Sequence, residues 1–229
     1  DKPDVRFEHR LQDVTDLFAK TDFNLFRVAA ESHGQRRVRA LCFPGEKAGA
    51  FSRKQLDEFQ ETAKHLGAGG LPYAKWGKDG LSSSFKKFIT ADLEAALKEQ
   101  LGTESEGLIL FAVGPDGATS KVLGDLRLRL AKALGLVDES RFAFLWVVDF
   151  PLLEWSDDDH GGGRFTACHH PFTSPHPDDM DLLETNPGAC RAVAYDLVLN
   201  GFEIGGGSIR IHDEVTQSRM FRALGISEA

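Results

Sequence analysis

The chain holds 229 residues, 41% hydrophobic and 27% charged, a balance that fits a soluble globular protein with a core large enough for one or two domains. Its formal net charge of −8 is uneven: residues 149–229 carry 14 Asp and Glu against 5 Arg and no Lys, which argues against a phosphate-backbone-binding surface there. No apolar run approaches the roughly 20 residues that span a bilayer, and the opening residues do not read as a signal peptide. Cys42, Cys168 and Cys190 are odd in number and widely spaced, as expected of reduced thiols in a cytoplasmic protein rather than of a disulfide framework. A start at Asp1 without Met leads us to expect a processed product or an excised fragment.

Residues 1–10 are polar and contain Pro3, an extended opening segment. Apolar positions at Leu11, Val14, Leu17 and Phe18 predict a short amphipathic helix over 11–20. Strands follow at 24–31 and 37–43, the second closed by Pro44-Gly45. Ser52 then caps a helix with a Leu56/Phe59/Ala63 stripe and Gly67 at its end. A short strand over 71–76 meets a turn at Lys78-Asp79-Gly80. Helix over 82–102, strand over 108–113 and helix over 119–135 complete an α+β or α/β module, in which no cluster of His, Asp, Glu or Cys gathers.

Composition changes near Asp138-Glu139-Ser140. Residues 141–150 read as an apolar strand, 152–155 and 164–168 as a hairpin joined by a loop over 156–163, and 178–184 as a short helix. Trp146 and Trp155 are expected in the core. One long extended segment begins at Arg191, and Asp213 caps a last helix over 214–224. No parallel crossover pattern occurs in this part, so an antiparallel sheet with helices is predicted.

The chemistry gathers in that extended segment. Asp196 and Glu203 could hold a divalent cation. Residues seven apart on a regular strand point to opposite faces, so a bulge or kink at Asn200-Gly201 is predicted to bring both carboxylates to one pocket. The alternative pairs Asp196 with a neighbouring cation and turns Glu203 to solvent. Gly205, Gly206 and Gly207 fit close approach of a flat ligand or, equally, a flexible turn. They form no dinucleotide fingerprint, and no P-loop pattern occurs. Arg210, between Ile209 and Ile211, needs either a ligand carboxylate or a structural salt bridge. His169 and His170 precede Pro171. A histidine donating to a substrate oxygen fits better than zinc shared with His176, because the spacing matches no strong zinc motif.

Three segments carry a family resemblance: WVVDFPLLEW (146–155), CHHPFTSP (168–175) and AYDLVLNGFEIGGGSIRIH (194–212). They resemble the bacterial-type aspartyl-tRNA synthetases of class II. DKPDVRF at the start resembles the segment after motif 2 of that class, and roughly residues 20–135 resemble its insertion domain, a fold also found in the tRNA-dependent amidotransferase. The resemblance implies an α+β protein, with an α/β insertion module followed by part of an antiparallel-sheet catalytic domain. The implied divisions are 1–19 (catalytic segment), 20–137 (insertion domain) and 138–229 (C-terminal catalytic part without motif 3).

The resemblance further implies that His169, His170 and Arg210 contact L-aspartate, that Glu203 and the glycines at 205, 206 and 207 contact ATP, and that Asp196 with Glu203 holds Mg²⁺. It implies tRNA as a partner, a homodimeric full-length enzyme and no membrane. The family reaction joins aspartate to ATP as aspartyl-adenylate and then passes the acyl group to tRNA. The anticodon-binding barrel, motif 1, the motif 2 arginine loop and the motif 3 arginine have no counterpart in these 229 residues, so the chain alone is expected not to aminoacylate. Two other functions fit: an insertion-domain binding module for tRNA or a protein, and a paralogue making an aminoacyl-adenylate for another reaction.

Overall fold

A computed structural model describes residues 2–103, 106–157 and 162–226. Part of the loop expected over 156–163, residues 158–161, lies outside the described residues. The backbone divides into two compact units, Phe7–Glu139 and a second made of residues 1–6 together with 140–229.

In the first unit Leu11–Asp13 (β1) is followed by a 3₁₀ turn at Thr15–Phe18 and a helix at Asn24–Ala30 (α1). Then come Arg37–Pro44 (β2), Glu46–Gly49 (α2), Arg53–His65 (α3), Tyr73–Gly77 (β3), Gly80–Ser83 (β4), Ala91–Leu101 (α4), Gly107–Gly114 (β5) and Asp116–Ala133 (α5). The sheet order is β1-β2-β5-β3-β4, and every neighbouring pair is antiparallel. The expected α/β module is therefore α+β, like the rest of the described chain. Its strand–helix–strand crossovers are real, but each is split. Strand β5 lies between β2 and β3, and β3 lies between β4 and β5, so no parallel pair touches.

Local chemistry explains three further departures. The 11–20 segment is not a helix: Asp13 accepts from the Thr15 amide at 3.0 Å, and the Val14 amide bonds Val38 O at 2.9 Å, which ties the segment to the sheet edge. The chain expected as a strand at 24–31 is helical, because Phe26 and Ala29, three apart, are the residues that bury. The helix expected over 82–102 starts only at Ala91, where the Thr90 hydroxyl accepts from the Leu93 amide at 3.2 Å; the residues before it form a hairpin strand and a 3₁₀ turn. Ser52 and Gln55 form the capping box of α3.

Both faces of this sheet are covered. Phe18, Phe26, Phe85 and Phe111 pack edge to face on one side, with centroids 4.4–6.4 Å apart. Leu41, Leu108, Leu110, Leu123 and Leu126 fill the other.

The second unit holds Phe144–Val147 (β6), Leu153–Asp157 (β7), Gly163–Ala167 (β8), Leu182–Thr185 (α6), Ala194–Leu199 (β9), Phe202–Ser208 (β10) and Glu214–Ala223 (α7). Strands β7 and β8 pair as the expected hairpin, and β10-β9-β6 form a three-stranded antiparallel sheet. A small core of Leu152, Leu153, Leu183, Ala192, Met220 and Leu224 packs beside it. Arg191 braces the approach to β9 through two bonds to Asp179, at 2.7 and 2.9 Å, which hold the Asp179 carboxyl down to about 2.

Trp146 and Trp155 are not core residues; they are 59% and 56% exposed. Trp146 shares its sheet face with Phe144 and, through the β9 register, with Leu199 and Phe202. Phe144 and Phe202 are exposed as well, which leaves that face largely bare among the described residues. No helix of the described residues is long and apolar enough to cross a membrane.

Candidate functional site

The segment expected as one long strand folds back on itself. Asn200 and Gly201, with φ of 51° and 87°, form the two-residue turn between β9 and β10, the conformation for which Asn-Gly is suited. The Asn200 side chain fixes the turn by accepting from the Ala143 amide at 3.0 Å and donating to Arg141 O at 2.9 Å.

The bulge exists, but it lies further on. The register passes from Glu203↔Val198 to Gly205↔Leu197, so Ile204 is the extra residue. Residues opposite one another share a face, and Val198 and Asp196 are two apart on β9. Glu203 therefore faces the same way as Asp196 and its partner Gly206. Without the bulge, Glu203 would join the aromatic face of the sheet.

On this face lies an open cavity of about 430 Å³ bordered by Asp196, Glu203, Gly206, Gly207, Ser208, Arg210, Ala194, Cys168, His169 and His170. Seven of the eight residues singled out in the sequence meet here; Gly205 does not border the cavity and has open space above it. Gly206 has a local reason to be glycine, since a Cβ there would strike the Asp196 carboxylate. At Gly207 a Cβ would come within 3.0 Å of the Tyr195 hydroxyl on the other face.

The groups around the cavity differ in how far they are already satisfied. Asp196 accepts no hydrogen bond among the described residues, and Glu203 takes the Lys2 ammonium at 2.9 Å. That contact, with a further contribution from Asp196, raises the Lys2 ammonium above its ordinary value. Arg210 pairs with no carboxylate among the described residues. Its only bond there is to the Thr173 hydroxyl, at 3.4 Å, and Thr173 also meets Ser208 Oγ at 3.3 Å.

The His169 ring stands edge-on to Phe150 at 4.8 Å, and His170 Nδ1 accepts from the Phe172 amide at 3.1 Å, which orients each imidazole. Burial, helped by the charge of Glu154, pushes the Cys168 thiol up, so it is a poor nucleophile at neutral pH. His176 stands outside the cavity lining and accepts from the Asp178 amide. Among the described residues no three His, Cys, Asp or Glu side chains converge as a metal cage.

An oxygen pair of this kind suits a hard cation that completes its shell with water and ligand phosphates. A lone guanidinium at the opposite side suits a carboxylate or phosphate. Residues 1–229 match the family described as tRNA synthetases class II (D, K and N). The chain belongs to that family.

Within the class II synthetases, its relatives carry one activity in their names. It is 47% identical over 228 residues to the aspartate–tRNA ligase of Geobacillus kaustophilus, a match covering 100% of this chain and 38% of that one. It is 46% identical over 228 residues to the aspartate–tRNA(Asp/Asn) ligase of Bacillus anthracis, again 100% and 38%. The Nitratidesulfovibrio vulgaris aspartate–tRNA(Asp/Asn) ligase is 45% identical over 226 residues, 99% of this chain and 35% of that one. The chain thus spans little more than a third of the length of the curated relatives it matches.

Sequence reasoning missed Lys2, Thr173, Ser208 and Cys168. Thr173 and Cys168 stood inside the quoted CHHPFTSP segment and Ser208 beside Arg210. Nothing in the polar opening segment marked Lys2, which meets Glu203 from about 200 residues away in the chain.

Proposed function

We propose that the chain is part of an aspartate–tRNA ligase and that this cavity binds L-aspartate and ATP for adenylate formation. The observation that carries this is Arg210, a guanidinium at a cavity edge with no carboxylate partner among the described residues, facing a site whose other side is the Asp196–Glu203 pair. Arg210 would receive the aspartate side-chain carboxylate bidentately, and an amide there would lose the charge-assisted pairing. His169 and His170, with rings already oriented, would border the amino acid.

Gly206 and Gly207 would leave the sheet bare for the nucleotide, with Glu203 beside it. Asp196 and Glu203 fit Mg²⁺: two oxygen donors on one face, too few for a closed cage, so nucleotide phosphates and water would supply the remaining ligands. When bound, the cation offers positive charge to the phosphates as the aspartate carboxylate attacks. The protein's part is electrostatic: Arg210 holds the substrate's negative end, the acidic pair fixes the cation, and no side chain need form a covalent bond.

The bare aromatic face of the β6–β9–β10 sheet and the coverage of little more than a third of the relatives support a chain that works within a longer protein. We assign tRNA binding, dimerisation and the cytoplasm to that whole protein, and residues 7–139 to its insertion domain. Whether it charges one tRNA or two divides the relatives by name.

Aspartate-dependent exchange of pyrophosphate into ATP, measured on the full-length protein, tests the assignment. Glu203→Gln should abolish exchange, and Arg210→Ala should lower kcat/KM for aspartate about 100-fold. Unchanged kcat/KM in Arg210→Ala would sink the aspartate assignment. The 229-residue chain alone should not aminoacylate tRNA.

A further inference from the structure

We infer that Lys2 is the resident counter-cation of the Asp196–Glu203 pair, an ammonium that holds the carboxylates when no metal is bound and must leave when one arrives. This rests on the metal-binding role proposed for that pair. Two carboxylates on one face repel each other, and an uncompensated pair is a costly ground state. Lys2 Nζ lies 2.9 Å from Glu203 Oε2, and the Asp196 charge also favours the ammonium. Arg210, the other cation at the cavity, is bonded to Thr173 instead.

Anchoring of the backbone behind Lys2 makes the contact more than a chance surface pair. Asp4, two residues on, is buried at 3% exposure and accepts from the Arg6 amide at 3.0 Å and the Arg6 guanidinium at 2.7 Å. The Arg6 carbonyl in turn accepts from Arg141 at 3.2 Å. A Cβ built on Gly201 of the hairpin turn would come within 3.5 Å of Asp4 and 3.7 Å of the Lys2 carbonyl, so this segment lies against the turn that orients the pair.

The backbone is thus fixed while the side chain is free: Lys2 is 49% and Glu203 38% exposed. An ammonium on a four-carbon stem can swing out without disturbing the fold. An exposed pair of this kind is also weak enough for a dication to displace. Lys2 would therefore be a positioning residue that keeps Glu203 aimed into the cavity and sets a threshold for metal loading.

Mn²⁺ titration of the full-length protein, followed by the electron paramagnetic resonance of free Mn²⁺, tests this without reference to turnover. Wild type, Lys2→Gln, Lys2→Arg and Glu203→Gln are compared. Removing the competitor in Lys2→Gln should tighten Mn²⁺ binding about two- to fivefold. Lys2→Arg, which retains a cation, should bind like wild type, and Glu203→Gln should lose the site. Loss of binding in Glu203→Gln with no tightening in Lys2→Gln would overturn the counter-cation alone. Weaker binding in Lys2→Gln would also overturn it, making Lys2 a support of the metal rather than its rival. Equal binding by wild type and Glu203→Gln, or none by either, would overturn the metal role itself.

Discussion

Phe111 and Trp146 are both large aromatic side chains on strands of antiparallel sheets, and they meet opposite surroundings. Phe111 is fully buried, ringed by Phe18, Phe26 and Phe85. Trp146 is 59% exposed and meets only the edge of Tyr195, at 5.8 Å, among ring contacts of the described residues. The same contrast runs through the two units. Residues 7–139 close both faces of their sheet with apolar side chains, whereas the β6–β9–β10 sheet turns one face to a polar cavity and leaves the other bare. The first unit is organised around burial and the second around a site. A sheet that presents bare glycine and separated charges to a ligand gives up packing it could otherwise have.

The largest effect should come from the closed unit. Phe111→Ala removes a ring from a filled aromatic cluster and is expected to cost about 3–5 kcal/mol in urea unfolding. A loss below about 1 kcal/mol would mean that the cluster is looser than its centroid distances imply. Next comes the cavity floor. Gly206→Ala pushes a Cβ into the Asp196 carboxylate and should cost about 1–3 kcal/mol. Gly205→Ala, one residue away in open space, should stay within about 0.5 kcal/mol. Equal costs at the two positions would refute the registered packing of β9 on β10.

The site was more legible in the sequence than the fold around it, for physical reasons. Whether two carboxylates share a face depends only on the parity of their spacing and one correction to it, so a shared pocket followed from Asp196 and Glu203 without knowledge of the tertiary structure. The device was misplaced: Asn200-Gly201 is the hairpin turn, and the bulge falls at Ile204, where an apolar residue gives no local signal. Helix α3 was readable because Ser52 and Gln55 decide it within four residues. The 24–31 helix was not, because Leu25, Phe26 and Val28 favour either state and Phe26 is placed by distant rings. Lys2 was illegible for the same reason: its partner is fixed by tertiary structure alone.

Acid should loosen the second unit at a nameable place. Arg191 holds the Asp179 carboxyl at about 2, below its ordinary 3.8. A depressed carboxylate contributes stability that is complete above about pH 4 and fades as pH falls toward 2. The thermal midpoint should therefore drop over that window, and Asp179→Asn should make the drop shallower while lowering the midpoint at neutral pH. An identical slope in the variant would show that the Arg191 contact does not persist in solution.

The smallest change belongs to Trp146, and there its smallness is the test. With more than half of its surface in water, Trp146→Thr should alter the unfolding free energy of the 229-residue chain by no more than about 0.5 kcal/mol, although it removes the largest side chain on the sheet's bare face. Threonine retains β-propensity, so backbone preference does not confound the measurement. In the full-length protein the same substitution should cost about 3 kcal/mol or more if further chain covers that face, because the indole would then be a core residue. A large cost already present in the 229-residue chain would mean that the face is covered there too, and the contrast between a closed unit and an open one would fail.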